Sequence, residues 1–270
     1  MRPMHRAFTA AALLATVALP VAAQQRQSDA SFKWSGRIPD GQWIRIRNLN
    51  GPITVGQASG NEVEVTAVKQ WRRGDPADVR FDTQKFGSGN QSVLICALWG
   101  KNSSCDEHDY QSHGDRDRGM RNNDVSVEFH VLVPKGVRVG VNTVNGAVTV
   151  EGATSDVDAG TVNGELDVET TGGHVNATNV NGGVRARLGH LDNSGDMNFT
   201  TVNGRVELDV ANDFGADVEM TTVNGSLNTD FPMTLTGRMN PRNLRAHVGA
   251  PGGPRIRLTT VNGSIELRKR

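Results

Sequence analysis

The 270-residue chain carries no excess charge of either sign, because 29 Lys and Arg offset 29 Asp and Glu. That balance removes the electrostatic case for nucleic acid or an anionic membrane surface as a partner. Aromatic residues are scarce at 5%, set against 31 glycines. The combination, with abundant Val, Thr and Asn, points to short strands joined by many turns. A Ser/His/Asp elbow, a phosphate-cradling loop and a dinucleotide fingerprint are all missing. Long apolar runs are missing too, apart from Ala7 to Val21. About fifteen such residues are too few to span a bilayer comfortably. The run follows the basic segment Met1 to Arg6 and ends in Val21-Ala22-Ala23, small residues of the kind a signal peptidase reads. Residues 1–23 are therefore expected to be a secretory signal peptide, with 24–31 as a linker. No cysteine follows the run, which argues against a bacterial lipid anchor. The mature chain is expected to be exported, periplasmic or at the cell surface or secreted, with no membrane span.

Only two cysteines are present, Cys96 and Cys105. In an oxidising compartment so close a pair is expected as a disulfide. Closing a loop of about ten residues stabilises by roughly 2–3 kcal/mol in the chain-entropy model.

What the chain does have is a repeat. Thr-Val-Asn-Gly occurs at 143–146, 161–164, 201–204, 222–225 and 260–263, with near copies at 179–182 and 48–51. A motif written seven times does not read as a catalytic site, since chemistry needs one constellation. The pairs Asn50-Gly51, Asn145-Gly146, Asn163-Gly164, Asn181-Gly182, Asn203-Gly204, Asn224-Gly225 and Asn262-Gly263 read as structural corners, both residues tolerating positive φ. Aligned on them, four columns of apolar residues emerge. Ile53, Val148, Leu166, Val184, Val206, Leu227 and Ile265 form one, and Val55, Val150, Val168, Ala186, Leu208, Thr229 and Leu267 the next. Ile44, Val139, Val157, Val175, Met197, Val218 and Ile256 precede the corner, followed by Ile46, Val141, Ala159, Ala177, Phe199, Met220 and Leu258. The spacing of two within each copy describes strands with one buried face. Thr229 is the single polar intruder.

Two architectures satisfy that pattern. Asn-Gly between alternating strands is a strong hairpin signal, so an antiparallel meander is one. A parallel β-solenoid with coils of 18–22 residues is the other. The motif's identity from copy to copy favours the solenoid. Stacked about 4.8 Å apart, equivalent Asn side chains form an amide ladder and equivalent Thr a hydroxyl row. Residues 70–124 and 230–254 break the pattern and read as loop insertions, with Ser92 to Leu98 a strand inside the first. Val125 to Val133 returns as an alternating strand. The last coil, ending in Arg268-Lys269-Arg270, reads as a basic cap on the open edge.

Candidate chemistry is thin. Cys105, Asp106, Glu107, His108, Asp109, His113 and Asp115, with Cys96, have the composition of a zinc site but lack a second C-x-x-C. A solvated loop with a disulfide is the expectation. The tandem Gly-Gly-x-Gly-x-Asp of calcium β-rolls does not occur. A polysaccharide-active enzyme needs paired carboxylates on one outer face. Asp158 and Asp167 lie half a coil apart and are in reach of one another, but solubility explains the alternating outward charges better. No metal, cofactor or catalytic residue is assigned.

The segments "NLNGPITVGQASGNEVEVTAVKQ" and "VSVEFHVLVPKGVRVGVNTVNGAVTVEG", with the tandem corner units, resemble the bacterial putative-adhesin family of β-strand-repeat domains of unknown function. That family is similar to head-domain adhesins of Bacteroidetes. The resemblance covers about residues 32–270. It implies a right-handed single-stranded β-helix, exported and non-catalytic, acting as an interaction module towards an unknown protein or glycan of the cell envelope or surface. The competing expectations are an envelope-stress or scaffold component without a ligand, and a polysaccharide-active β-helix enzyme.

Overall fold

The computed structural model describes residues 30–108, 110–112, 123–189, 195–235, 240, 242–249 and 253–270. The expected signal peptide and most of the expected linker lie outside them. Among the described residues there are 23 strands, two 3₁₀ turns and no α-helix. Strands β1 (Ser31–Gly36), β2 (Trp43–Arg47), β3 (Ile53–Gln57) and β4 (Val63–Gln70) come first. The first insertion contributes β5 (Val79–Phe86), β6 (Ser92–Trp99), β7 (Ser103–Cys105) and β8 (Tyr110–Ser112), then β9 (Ser126–Val133). The repeat array follows as β10 (Arg138–Asn145), β11 (Val148–Ala153), β12 (Val157–Asn163), β13 (Leu166–Thr170), β14 (Val175–Asn181), β15 (Val184–Leu188), β16 (Met197–Asn203), β17 (Val206–Val210), β18 (Ala216–Asn224) and β19 (Leu227–Thr229). The chain ends with β20 (Met233–Leu235), β21 (Asn243–Val248), β22 (Arg255–Asn262) and β23 (Ile265–Lys269).

The fold is all-β, with two large mixed sheets and a small hairpin. Each repeat gives the strand before Asn-Gly to one sheet and the strand after it to the other. A corner therefore joins two sheets and makes no hairpin, which removes the meander. From β10 to β17 every neighbouring pair is parallel and in register, apart from one shift between Val150 and Ala153 in β11. Val148, Leu166, Val184, Val206, Ile265 and Leu227 follow one another in one column. Of the four columns read from the sequence, all members are buried except Leu227, which is partly covered, and Thr229, which is exposed. Each fully buried aliphatic contributes about 1.5–3 kcal/mol.

Antiparallel strands finish both ends. β4 pairs with β9 and β1 on one side, and β5 pairs with β6. At the far end β21 pairs with β18 and β20. The segments read as loops thus hold strands β5, β7, β8, β20 and β21 besides β6. Their short alternating runs were obscured by flanking Gly, Pro and charge.

Order in space departs from order in sequence at two places. β2 lies between β6 and β10, and β3 lies between β9 and β11. β22 lies between β16 and β18, and β23 between β17 and β19. The last coil is therefore no cap. Its Arg268 is held by Asp209 at 2.7 Å and Glu207 at 3.1 Å, and Arg270 reaches Glu169 at 3.1 Å. One of the two edge strands of the first sheet is β19, which explains why Thr229 can be polar.

Candidate functional site

All seven Asn-Gly pairs fall on one edge of the molecule, where the two sheets meet. Six of the Asn side chains form a continuous amide ladder. Asn163 Nδ2 donates to Asn145 Oδ1 at 2.9 Å, Asn181 to Asn163 at 2.9 Å and Asn203 to Asn181 at 2.9 Å. Asn262 then donates to Asn203 at 2.8 Å, and Asn224 to Asn262 at 2.9 Å. Asn50 stands outside the ladder and donates to the Val125 carbonyl at 3.0 Å. The expected threonine row does not form. Each Thr hydroxyl instead donates to the glycine carbonyl of the next corner, as from Thr143 to Gly51 at 3.0 Å, Thr161 to Gly146 at 2.8 Å and Thr260 to Gly204 at 2.9 Å. This satisfies a carbonyl that the bend would otherwise leave unpaired.

Positive φ is used at the corners by glycine and not by asparagine: Gly51 lies at +120° and Gly182 at +141°. Asn90 is the sole described non-glycine residue at positive φ, so no corner Asn uses it. The corner glycines are required by approach. A Cβ on Gly146 would collide with the Gly51 carbonyl, one on Gly204 with the Gly182 carbonyl, and one on Gly263 with the Gly204 carbonyl.

Beside the ladder runs a second row that the columns did not disclose. The valine of each motif points outward. Val162, Val202, Val223 and Val261 are 36–48% exposed, and Val144 and Val180 are half-buried. The signal was present in the motif itself, since the residue between inward Thr and corner Asn must face out.

Next to this edge the first sheet carries a shallow groove of about 550 Å³, lined by Glu165, Asp167, Gly183, Arg185, Arg205 and Glu207 among others. Gly183 opens it, and its amide donates to Glu165 Oε2 at 3.0 Å. Glu207 is clasped by Arg185 at 2.6 Å, Arg205 at 2.8 Å and Arg268 at 3.1 Å, with its side chain only 6% exposed. Burial pushes its pKa up, but the bonds from Arg205 and Arg185 prevail and hold it below the usual carboxylate range. Arg187 joins Asp167 at 2.8 Å and Glu169 at 3.1 Å, and its bond lowers the Glu169 pKa. Glu207 and Glu169, so clamped, stay ionised and bonded, which suits a rigid surface better than proton transfer. Asp158 and Asp167 are not brought together. Asp158 lies in the other sheet, bonded to Arg45 at 3.2 Å and Asn176 at 3.1 Å.

Cys96 and Cys105 are joined by a disulfide. It fastens the β7–β8 hairpin over the outer side of β6, where Leu94, Cys96 and Leu98 form a second small core with Phe86 and Tyr110. β6 is consequently buried on both faces. Among the described residues no group of three or more His, Cys, Asp and Glu could hold a metal. Asp109, His113 and Asp115 lie outside those residues. Likewise among them, no helix is long and apolar enough to cross a membrane.

The model of the DUF4097 Toastrack family matches residues 107–268, more than half of the chain. No curated protein matches it. Among solved structures, a putative cell adhesion protein from Clostridium sporogenes is 8% identical, with 89% of this chain and 100% of that one covered and a TM-score of 0.52. Such a likeness bears on the fold alone. A putative adhesin from Bacteroides fragilis, 9% identical over 89% of this chain and 97% of that one, has a TM-score of 0.30. Another from Parabacteroides distasonis, 11% identical over the same shares, has a TM-score of 0.28. On the match to its sequence, this chain belongs to the DUF4097 Toastrack family.

Proposed function

We propose that the protein is an exported, non-catalytic interaction module of the cell envelope or surface, which binds a protein or glycan along its corner edge. The observation that carries this is the repeated pair of outward groups on that edge. Six coils each present an outward Val beside a ladder Asn, about 4.8 Å from the next, and four of those valines are exposed. Within the ladder each interior amide uses one N–H and one lone pair, so a second of each stays open to a ligand. A periodic partner meets the same contact several times, and weak contacts then act together. The adhesion names of the similar structures agree with this reading. The fold is read as a right-handed single-stranded β-helix, the hand that nearly all parallel crossovers adopt. Residues 1–23 serve as the export signal.

The test is a glycan array and an envelope-protein pull-down with the wild type and the double variant Val162→Asp/Val202→Asp. Bound partner lost at unchanged thermal stability supports the edge. Equal capture by the two proteins rejects it. Deleting residues 101–122 is a poorer probe, since it strips the cover from Leu94 and Leu98.

A further inference from the structure

We propose that the slot holding the last coil is an exchange site for a second copy of this chain, whose residues 255–270 enter it in trans to make a reciprocal dimer. Two skips in chain order lead there. Between β9 and β10 the chain steps past the β2–β3 coil, which has been made before and is already present. Between β17 and β18 it steps past one coil height that only the later β22–β23 can fill. Residues 211–215 make that step. Phe214 in this link packs on Phe231, with ring centroids 5.7 Å apart, so the far wall is tied down by residues that precede the last coil.

Until the slot is filled, β16 and β17 on one wall are paired on one side only, with β14 and β15, while on the other wall β18 has only antiparallel β21 and β19 has no strand beside it. Such paired open edges accept an added strand readily. The entering coil brings Ile256, Leu258, Ile265 and Leu267, all fully buried once seated. It also completes the side-chain pattern: Asn262 donates to Asn203 and accepts from Asn224, Thr260 donates to Gly204, and Thr222 donates to Gly263. Nothing in these contacts distinguishes the chain's own coil from that of another copy. An exchanged dimer therefore keeps every contact of the monomer and changes only the connection. That connection, residues 249–254, joins the end of β21 to the start of β22. Six residues reach about 20 Å when extended.

Asn198 on β16 and Arg257 on β22 are register partners with outward side chains, and each reports which β22 occupies the slot. Full-length Asn198→Cys with a long tag and Arg257→Cys with a short tag are unfolded together, refolded at several concentrations and oxidised. A disulfide-linked species carrying both tags, increasing with concentration, supports the exchange. It should be absent when the two folded proteins are merely mixed. It should also be absent for the separate chains Asn176→Cys and Asn198→Cys, because β14 and β16 belong to consecutive coils. One chain bearing both Asn198→Cys and Arg257→Cys shows that the pair can close internally. No two-tag species at any concentration overturns the proposal, as does equal linkage in the Asn176 pair. Failure of the internal pair to close overturns it too, since β22 would not lie beside β16.

Discussion

Ile265 and Leu227 occupy one column on adjacent rungs, and chain order and spatial order give opposite forecasts for them. By chain order Ile265 belongs to the terminal coil and Leu227 to an interior one. In the structure Ile265 sits between Val206 and Leu227 with no exposed surface, while Leu227 stands on the edge strand and is only partly covered. Ile265→Ala removes buried methyl and methylene groups between two fixed neighbours, where the walls cannot close. Such a cavity costs about 2–5 kcal/mol. Leu227→Ala trims a side chain that water already reaches, with an expected loss of about 1 kcal/mol. At roughly 2–4 °C per kcal/mol for a chain of this size, Ile265→Ala lowers Tm by about 5–15 °C and Leu227→Ala by only a few. Differential scanning calorimetry of the two variants decides it. Equal losses, or a larger loss for Leu227→Ala, would refute the intercalated order.

Gly204→Ala drives a Cβ into the Gly182 carbonyl and should cost at least about 1–3 kcal/mol; Gly60→Ala meets nothing and should stay within about 0.5 kcal/mol, both read from urea midpoints. Glu169, Glu207 and Glu219 have folded-state pKa values below the usual range. Their stabilisation is present above the unfolded value, about 4.3, and is lost as pH falls through the depressed folded values. Tm should therefore drop on acidification from that point, and Glu207→Gln should flatten the drop while lowering neutral stability by about 1.5–3 kcal/mol. Replacing Cys96 and Cys105 together by Ser should remove roughly 2–3 kcal/mol, with a rise in dye binding as the hairpin loosens from Leu94 and Leu98. An unchanged dye signal would show that the hairpin holds without its bond.

The parallel array was legible because two periods coincide in it. Inward aliphatics alternate with outward polar residues, and a corner of fixed length marks every coil, so Val148, Leu166 and Val184 could be aligned by eye. The corner's purpose was legible in part, because tolerance of positive φ, which Gly51 and Gly182 use, is a property of one residue, whereas the close approach of Gly204 to Gly182 involves two coils. The order of the last coils was also missed. The long gap before Asn262 and the polar Thr229 both marked an edge reached early, but nothing in a linear sequence states which coil will lie outermost. The arginine clasp on Glu207 was hidden for a similar reason. Arg205 is local to Glu207, but Arg185 and Arg268 come from the two neighbouring coils, and only stacking brings them to the same carboxylate. Strands β5, β20 and β21 were lost among prolines and charges, where pairing to an already formed edge outweighs weak local preference.

The position of β23 between β17 and β19 also governs how the molecule can be attached to anything else. Whatever precedes Ser31 departs from one extremity, alongside β4. Whatever is joined after Arg270 departs from the flank, with β19 one rung farther out in the same sheet and β18, β21 and β20 farther out in the other. Held by its front, the body would stand on end and offer the β18–β21 tip farthest out. Held by its back, it would lie on its side, with the asparagine edge, at the opposite end of β23 from Arg270, turned away from the surface that carries it.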